Sequence, residues 1–206
     1  EEKLMAIAKQ YKINILGPNC LGFLDSTINL NASFSEGMIL PGKVAFMSQS
    51  GAICTAMLDW ALASNLGFSR FISLGNKSGI NENDLLEFFI NDKKTEVVLA
   101  YLEGFADGTK FLEIAHRLTA KKPLIIIKSG RTSAGQAAIS SHTGSLAGAE
   151  EAVNAALTQT NALRAETLAE LFNLVEMFSS YNKICNNKTA VVANAGGPGV
   201  MTTDAI

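Results

Sequence analysis

Apolar runs of strand length alternate along this chain with longer stretches of helical period, the pattern of a sheet covered by helices. Four such runs, residues 43–47, 71–74, 97–102 and 123–128, predict successive strands of a central domain. Helical periods follow the first three, from Gly51 to about residue 65, over 83–91 and over 110–119. After the fourth run, residues 132–148 are rich in Ser, Ala, Gly and Thr with few large apolar positions, which predicts a surface loop. A helix over 149–157, a short strand near 162–164 and a helix over 168–178 complete the domain. The order strand, helix, strand predicts an α/β fold, a parallel sheet whose ligand crevice lies beyond the carboxyl ends of its strands. The segments after the four strands can therefore converge on one site.

The flanks differ from this centre. Residues 1–25 predict a helix over 2–11, a short strand over 13–16 and a turn at Gly17-Pro18-Asn19, read as the end of a preceding domain. Residues 26–41 are polar and weakly periodic and predict a connector, with the central domain spanning 42–180. Residues 181–206 predict a polar linker, a strand over 190–193, a glycine-rich turn at Gly196-Gly197-Pro198-Gly199 and the start of a helix, the opening of a further α/β unit in a longer polypeptide.

Composition narrows the function classes. With 206 residues, 48% of them hydrophobic and 17% charged, the chain can bury a sizeable core. A net charge of -2 with scattered Lys and Arg argues against nucleic acid as a partner. No apolar run approaches the roughly 20 residues that cross a bilayer, since Asp59 interrupts the best one, so no membrane span is expected. Three widely spaced cysteines, Cys20, Cys54 and Cys185, fit neither a disulfide framework nor a zinc site and suit a reducing cytoplasm. With two histidines and three cysteines, metal ligation is not expected.

Several segments carry candidate chemistry. Ser48-Gln49-Ser50-Gly51 follows a strand and opens a helix, where free N–H groups and the helix dipole favour an anion such as phosphate; serine there is equally a plain N-cap. Thr143-Gly144-Ser145, ahead of the helix at 149, offers a second site of this kind, and His142 precedes it among small residues that leave an imidazole accessible. The other histidine, His116, sits in a helical period beside Arg117 and reads as a solvated surface residue. Glu103 ends an apolar strand where a carboxylate has no packing reason to be. It can orient one ring nitrogen of His142 and leave the other free as a nucleophile, or simply be a charge at a strand end. Gly75-Asn76-Lys77 places an amide and a cation at another strand end, suited to an anionic substrate group, though a solvated Lys77 is the plain alternative.

In their order, Gly17-Pro18-Asn19-Cys20-Leu21-Gly22, Ser48-Gln49-Ser50-Gly51, Gly75-Asn76-Lys77, Tyr101-Leu102-Glu103-Gly104, Lys128-Ser129-Gly130-Arg131 and residues 141–148 resemble the ADP-forming acetyl-CoA synthetase family, related to the succinyl-CoA synthetase α-subunit. The resemblance implies a doubly wound, flavodoxin-like (succinyl-CoA synthetase-like) domain flanked by pieces of neighbouring α/β domains. It implies a CoA-binding Rossmann domain before this chain and an ATP-grasp domain or subunit as partner. The implied reaction interconverts acyl-CoA, phosphate and ADP with a small carboxylic acid, CoA and ATP, with Mg2+ accompanying the nucleotide, through an acyl phosphate and a phosphohistidine. His142 would carry the phosphoryl group, Glu103 would support it, and Asn19 would lie near the arriving CoA thiol. None of these ligands is expected to bind tightly to this stretch alone, and a homo-oligomer is compatible with the resemblance. The alternative is a ligase-like acyl-CoA-binding or regulatory module of a protein lysine acetyltransferase; retention of both His142 and Glu103 favours the ligase.

Overall fold

The computed structural model describes residues 1–143, 149–180 and 188–206, and for residues 140–143 it describes the backbone alone. In chain order the described elements are α1 (Glu2–Tyr11), β1 (Gly22–Asp25), β2 (Leu30–Ser33), β3 (Pro41–Ser48), α2 (Gly51–Ala63), β4 (Phe68–Ser73), α3 (Glu82–Asn91) and β5 (Val97–Leu102). They continue with α4 (Gly108–Thr119), β6 (Leu124–Lys128), α5 (Ser133–Thr143), α6 (Glu150–Gln159), β7 (Leu163–Arg164), α7 (Leu168–Ser180) and α8 (Gly196–Asp204).

One seven-stranded sheet runs in the order β2-β1-β4-β3-β5-β6-β7. From β4 to β7 every pairing is parallel. Numbered among themselves, these five strands follow the 2-1-3-4-5 order of flavodoxin-like sheets, whose direction of winding reverses between the first and third. That switch lies between β3 and β5.

The near-continuous apolar strands are explained by burial on both faces. Along β3, Val44 and Phe46 face one side while Ala45 and Met47 face the other. The first side packs against α2 and α7 through Met57, Ala61, Leu171 and Val175, and the second against α3, α4 and α6. Phe46, Phe68 and Phe71 form an aromatic knot beneath α2, with the Phe46 and Phe71 ring centres 4.9 Å apart. Trp60 of α2 stacks on Phe172 of α7 at 3.9 Å and an interplanar angle of 5°, fixing the two helices to each other.

Cys54 is wholly enclosed in the first of these layers, and burial pushes its thiol up to about 11. Iodoacetamide at pH 8 is therefore expected to leave Cys54 unmodified in the native chain and to label it only after unfolding, read by peptide mass spectrometry.

The structure departs from the sequence expectation in four places. The end of the 1–25 segment and the start of the expected connector together form the hairpin β1–β2, which extends the sheet antiparallel to β4. Its turn is made locally: the Asp25 carboxylate accepts the Thr27 N–H at 2.8 Å and its hydroxyl at 2.5 Å, and Asn29 takes a left-handed φ of 53°. Within the stretch 132–148 expected as loop, residues 133–143 form α5, whose first turn is capped by Thr132 Oγ1 accepting the Gly135 N–H at 3.1 Å. The strand expected over 13–16 reduces to one parallel bridge between Leu16 and Ile80. Residues 190–193 pair with no strand among the described residues, and the glycines expected as a turn after them form the first turns of α8.

Candidate active site at the sheet switch point

The turn after β3 is built by its own serines. Ser48 is fully buried, its hydroxyl donating to the Ser50 carbonyl at 2.9 Å and accepting the Ser50 N–H at 3.1 Å. Ser50 then caps α2, its Oγ accepting the Ile53 N–H at 3.3 Å. The first-turn N–H groups at Gly51 and Ala52 have no acceptor within the helix, and both residues line the adjoining cleft. Ser50→Ala is expected to cost about 1 kcal/mol of stability and Ser50→Gly only a few tenths, measured by urea unfolding.

Gln49 closes the switch point. Its N–H donates to the Tyr101 carbonyl at 3.1 Å, and its side-chain Oε1 accepts the N–H groups of Glu103 at 2.7 Å and Gly104 at 3.1 Å. The ends of β3 and β5 are thereby held in register, and Glu103, nine-tenths buried, stands opposite the start of α2.

The turn after β4 is tied to the same point. Lys77 has a left-handed φ of 56° and a side chain only 9% exposed. Its Nζ donates to Glu82 Oε2 at 2.8 Å and to the Gly104 carbonyl at 2.7 Å. Glu82 is fully buried and its other oxygen accepts the Ala106 N–H at 2.5 Å. The Lys77 charge is thus matched within the protein and locks the loops after β4 and β5 together. Gly75, with φ of 56°, packs where an added Cβ would run into the carbonyl oxygens of Pro18 and Asn19. That close approach brings the turn at residues 17–19 into the site, where Asn19 Nδ2 donates to Asn76 Oδ1 at 3.3 Å. Asn76 in turn donates to the Glu1 carboxylate at 2.6 Å.

These segments enclose a cleft of about 1070 Å³. Of the candidate residues, Asn19, Gln49, Ser50, Gly51, Gly75, Asn76, Lys77 and Glu103 all line it. Ser48 does not, because its hydroxyl is spent inside the turn. Glu82 was not singled out from sequence, since its role depends on Lys77 and Ala106, which a linear reading does not place beside it. Lys128, at the end of β6, is also turned inward: its Nζ donates to the Ser129 carbonyl at 2.5 Å, and burial pushes its ammonium below the ordinary range. The backbone of His142 and Thr143 lies in the last turn of α5, while the His142 side chain and residues Gly144 and Ser145 lie outside what the structure describes.

A parallel sheet with a polar cleft at its switch point, a free helix start on one side and a carboxylate on the other is suited to an anionic substrate whose charge shifts during reaction. Residues 41–178 match the succinyl-CoA ligase-like flavodoxin domain family. The chain belongs to this family. Over 204 residues this ligase-like domain and its flanks are 47% identical to an ADP-forming acetate–CoA ligase of Methanocaldococcus jannaschii, covering 99% of the chain and 29% of that protein. The α-subunit of the ADP-forming acetate–CoA ligase I of Pyrococcus furiosus is 42% identical, over 100% of the chain and 44% of the subunit. Among solved structures, the dinucleotide-forming acetyl-coenzyme A synthetase 1 of Ca. Korarchaeum cryptofilum, in complex with phosphate and ADP, superposes with a TM-score of 0.94 at 39% identity. That superposition covers 98% of the chain and 44% of its counterpart. The chain therefore spans less than half the length of each of these relatives.

Proposed function

We propose that this domain is the phosphoryl-relay part of an ADP-forming acid–CoA ligase, with His142 as the carrier and Glu103 as its orienting carboxylate. The observation that carries the proposal is the switch-point cleft, in which Glu103 and the start of α2 confront each other across a space lined by the turns after β3, β4 and β5. Likeness to ligases named as ADP-forming supports the same reading. The acetyltransferase alternative gains no support from these relatives.

In the proposed sequence, phosphate attacks the acyl carbon of acyl-CoA and the thiolate of CoA leaves. A ring nitrogen of His142 then attacks phosphorus of the acyl phosphate; the bond from phosphorus to the acyl oxygen breaks and its electron pair departs on the free carboxylate. An oxygen of ADP takes the phosphoryl group from His142 to give ATP. The N–H groups at Gly51 and Ala52 hold the phosphate oxygens during the first transfer, which asks for positioning and charge stabilisation more than for new covalent chemistry. Gly144 and Ser145 are proposed to do the same beside His142, which with Thr143 ends α5. Asn19 and Asn76 are proposed to meet the incoming CoA and substrate, with Lys77 and Gly75 shaping that wall rather than binding through a free ammonium.

CoA would arrive from a CoA-binding domain and the nucleotide from an ATP-grasp domain or subunit. Among the described residues no group of three His, Cys, Asp or Glu side chains is placed to hold a metal ion, so the proposal puts Mg2+ with the nucleotide. No helix among the described residues is long and apolar enough to cross a membrane, and the proposal places the enzyme in the cytoplasm.

The test is to incubate the complete protein with ATP labelled in its γ-phosphate and quench with alkali. An acid-labile, alkali-stable label that forms with ATP alone and is discharged by acetate and CoA is expected; absence of label with ATP alone overturns the relay.

A further inference from the structure

A second, smaller chamber adjoins the cleft. It lies between the 34–40 segment and the outer flank of α2, has a volume of about 290 Å³, and shares Leu21, Phe34 and Thr55 with the wall of the cleft. Its floor is apolar, formed by the buried Leu24 and Phe68, and Leu58 and Leu62 stand along α2 as its side wall. Thr55 sits about one helical turn beyond Gly51 and Leu58 and Leu62 follow on succeeding turns, so the chamber begins where the α2 anion site ends. Phe34, 89% exposed, stands at the junction with little packing to hold it in place. Two carboxylates, Glu36 and Asp59, line the chamber and both residues are exposed.

We infer that this chamber receives the tail of the carboxylic acid, and that the ligase accepts monocarboxylic acids with medium apolar tails while rejecting dicarboxylic acids of equal length. The inference rests on the function proposed above and adds the substrate class to it. With the reacting carboxyl group at the start of α2, a hydrocarbon tail passing Thr55 enters an apolar trough. A terminal carboxylate on that tail would instead meet Glu36 and Asp59, and the repulsion of like charges at close range disfavours it relative to an uncharged tail. Adjacency is what favours a substrate tail over another occupant, because three residues line both spaces and one of them, Phe34, is 89% exposed and free to swing aside.

The test compares acetate, hexanoate and its dicarboxylic counterpart adipate in the complete protein, with Leu62→Trp and Asp59→Asn beside the wild type. Leu62 is 60% exposed, so a tryptophan there fills the trough without entering the core. The expected result is a fall of about tenfold or more in the kcat/KM ratio of hexanoate to acetate in Leu62→Trp, and a rise in the ratio of adipate to hexanoate in Asp59→Asn. Saturation-transfer NMR of hexanoate reads the trough apart from the chemistry: its signal is expected in the wild type and lost in Leu62→Trp. An unchanged hexanoate signal and ratio in Leu62→Trp overturn the inference and leave the ligase reading standing. Hexanoate binding lost in Leu62→Trp, in a wild type that forms no acyl-CoA from any acid, supports the chamber and overturns the ligase.

Discussion

Replacing His142 with Ala is expected to abolish the acid-labile label and to lower acyl-CoA turnover by about four orders of magnitude or more, because a covalent relay has no substitute once its nucleophile is gone. The size of the loss separates a carrier from a bystander. A histidine that merely lined the cleft would cost about tenfold and leave the label in place. Glu103→Gln is expected to give an intermediate result. It keeps the side-chain volume and an acceptor oxygen but removes the charge that supports a developing imidazolium, at a cost of about 10²-fold in the rate of labelling. The final extent of labelling should be unchanged. Because Gln49 binds the backbone of residue 103 and not its side chain, the strand end stays in place in this variant, and circular dichroism should match the wild type. Rapid-quench labelling of the three proteins with the same labelled ATP makes the comparison. Full labelling of His142→Ala would move the carrier to another residue.

The parts of the fold that were legible in the sequence are those where hydrophobic burial is continuous. β5 occupies residues 97–102 as expected, and β3 and β6 fall within two residues of expectation, since each is buried on both faces and shows as an unbroken apolar run. The hairpin β1–β2 was not legible because β2 is an edge strand with Leu30, Asn31 and Ala32 exposed, so no alternation marks it. α5 was missed for a similar reason. Its residues carry no apolar stripe, and what starts the helix is the Thr132 cap followed by small residues that tolerate the helical conformation. The residue types pointed to the strand ends that line the cleft, because glycine and polar residues interrupt apolar runs there. Their individual duties were not legible. Whether a serine hydroxyl faces a ligand or its own turn, as at Ser48, depends on a rotamer. Whether a lysine is free, as Lys77 is not, depends on partners brought in by other strands.

That last contact carries the other large effect. Glu82→Ala is expected to destabilise the domain by about 3–5 kcal/mol, measured by urea unfolding, because it leaves the Lys77 ammonium buried without its counter-charge and the Ala106 N–H without its acceptor. The pair sits 9% and 0% exposed by side chain, so water cannot step in for the lost carboxylate as it would at the surface. Most of the loss comes from the orphaned charge and not from the pair's own attraction. It follows that Lys77→Met with Glu82→Gln should be less destabilised than Glu82→Ala alone. The introduced amide still offers an oxygen to the Ala106 N–H, and no ammonium remains to be compensated. A loss under 1 kcal/mol in Glu82→Ala would show that the loops after β4 and β5 are held by other means. A loss of the expected size places a buried ion pair, rather than a substrate-binding cation, behind the wall on which Glu103 is mounted.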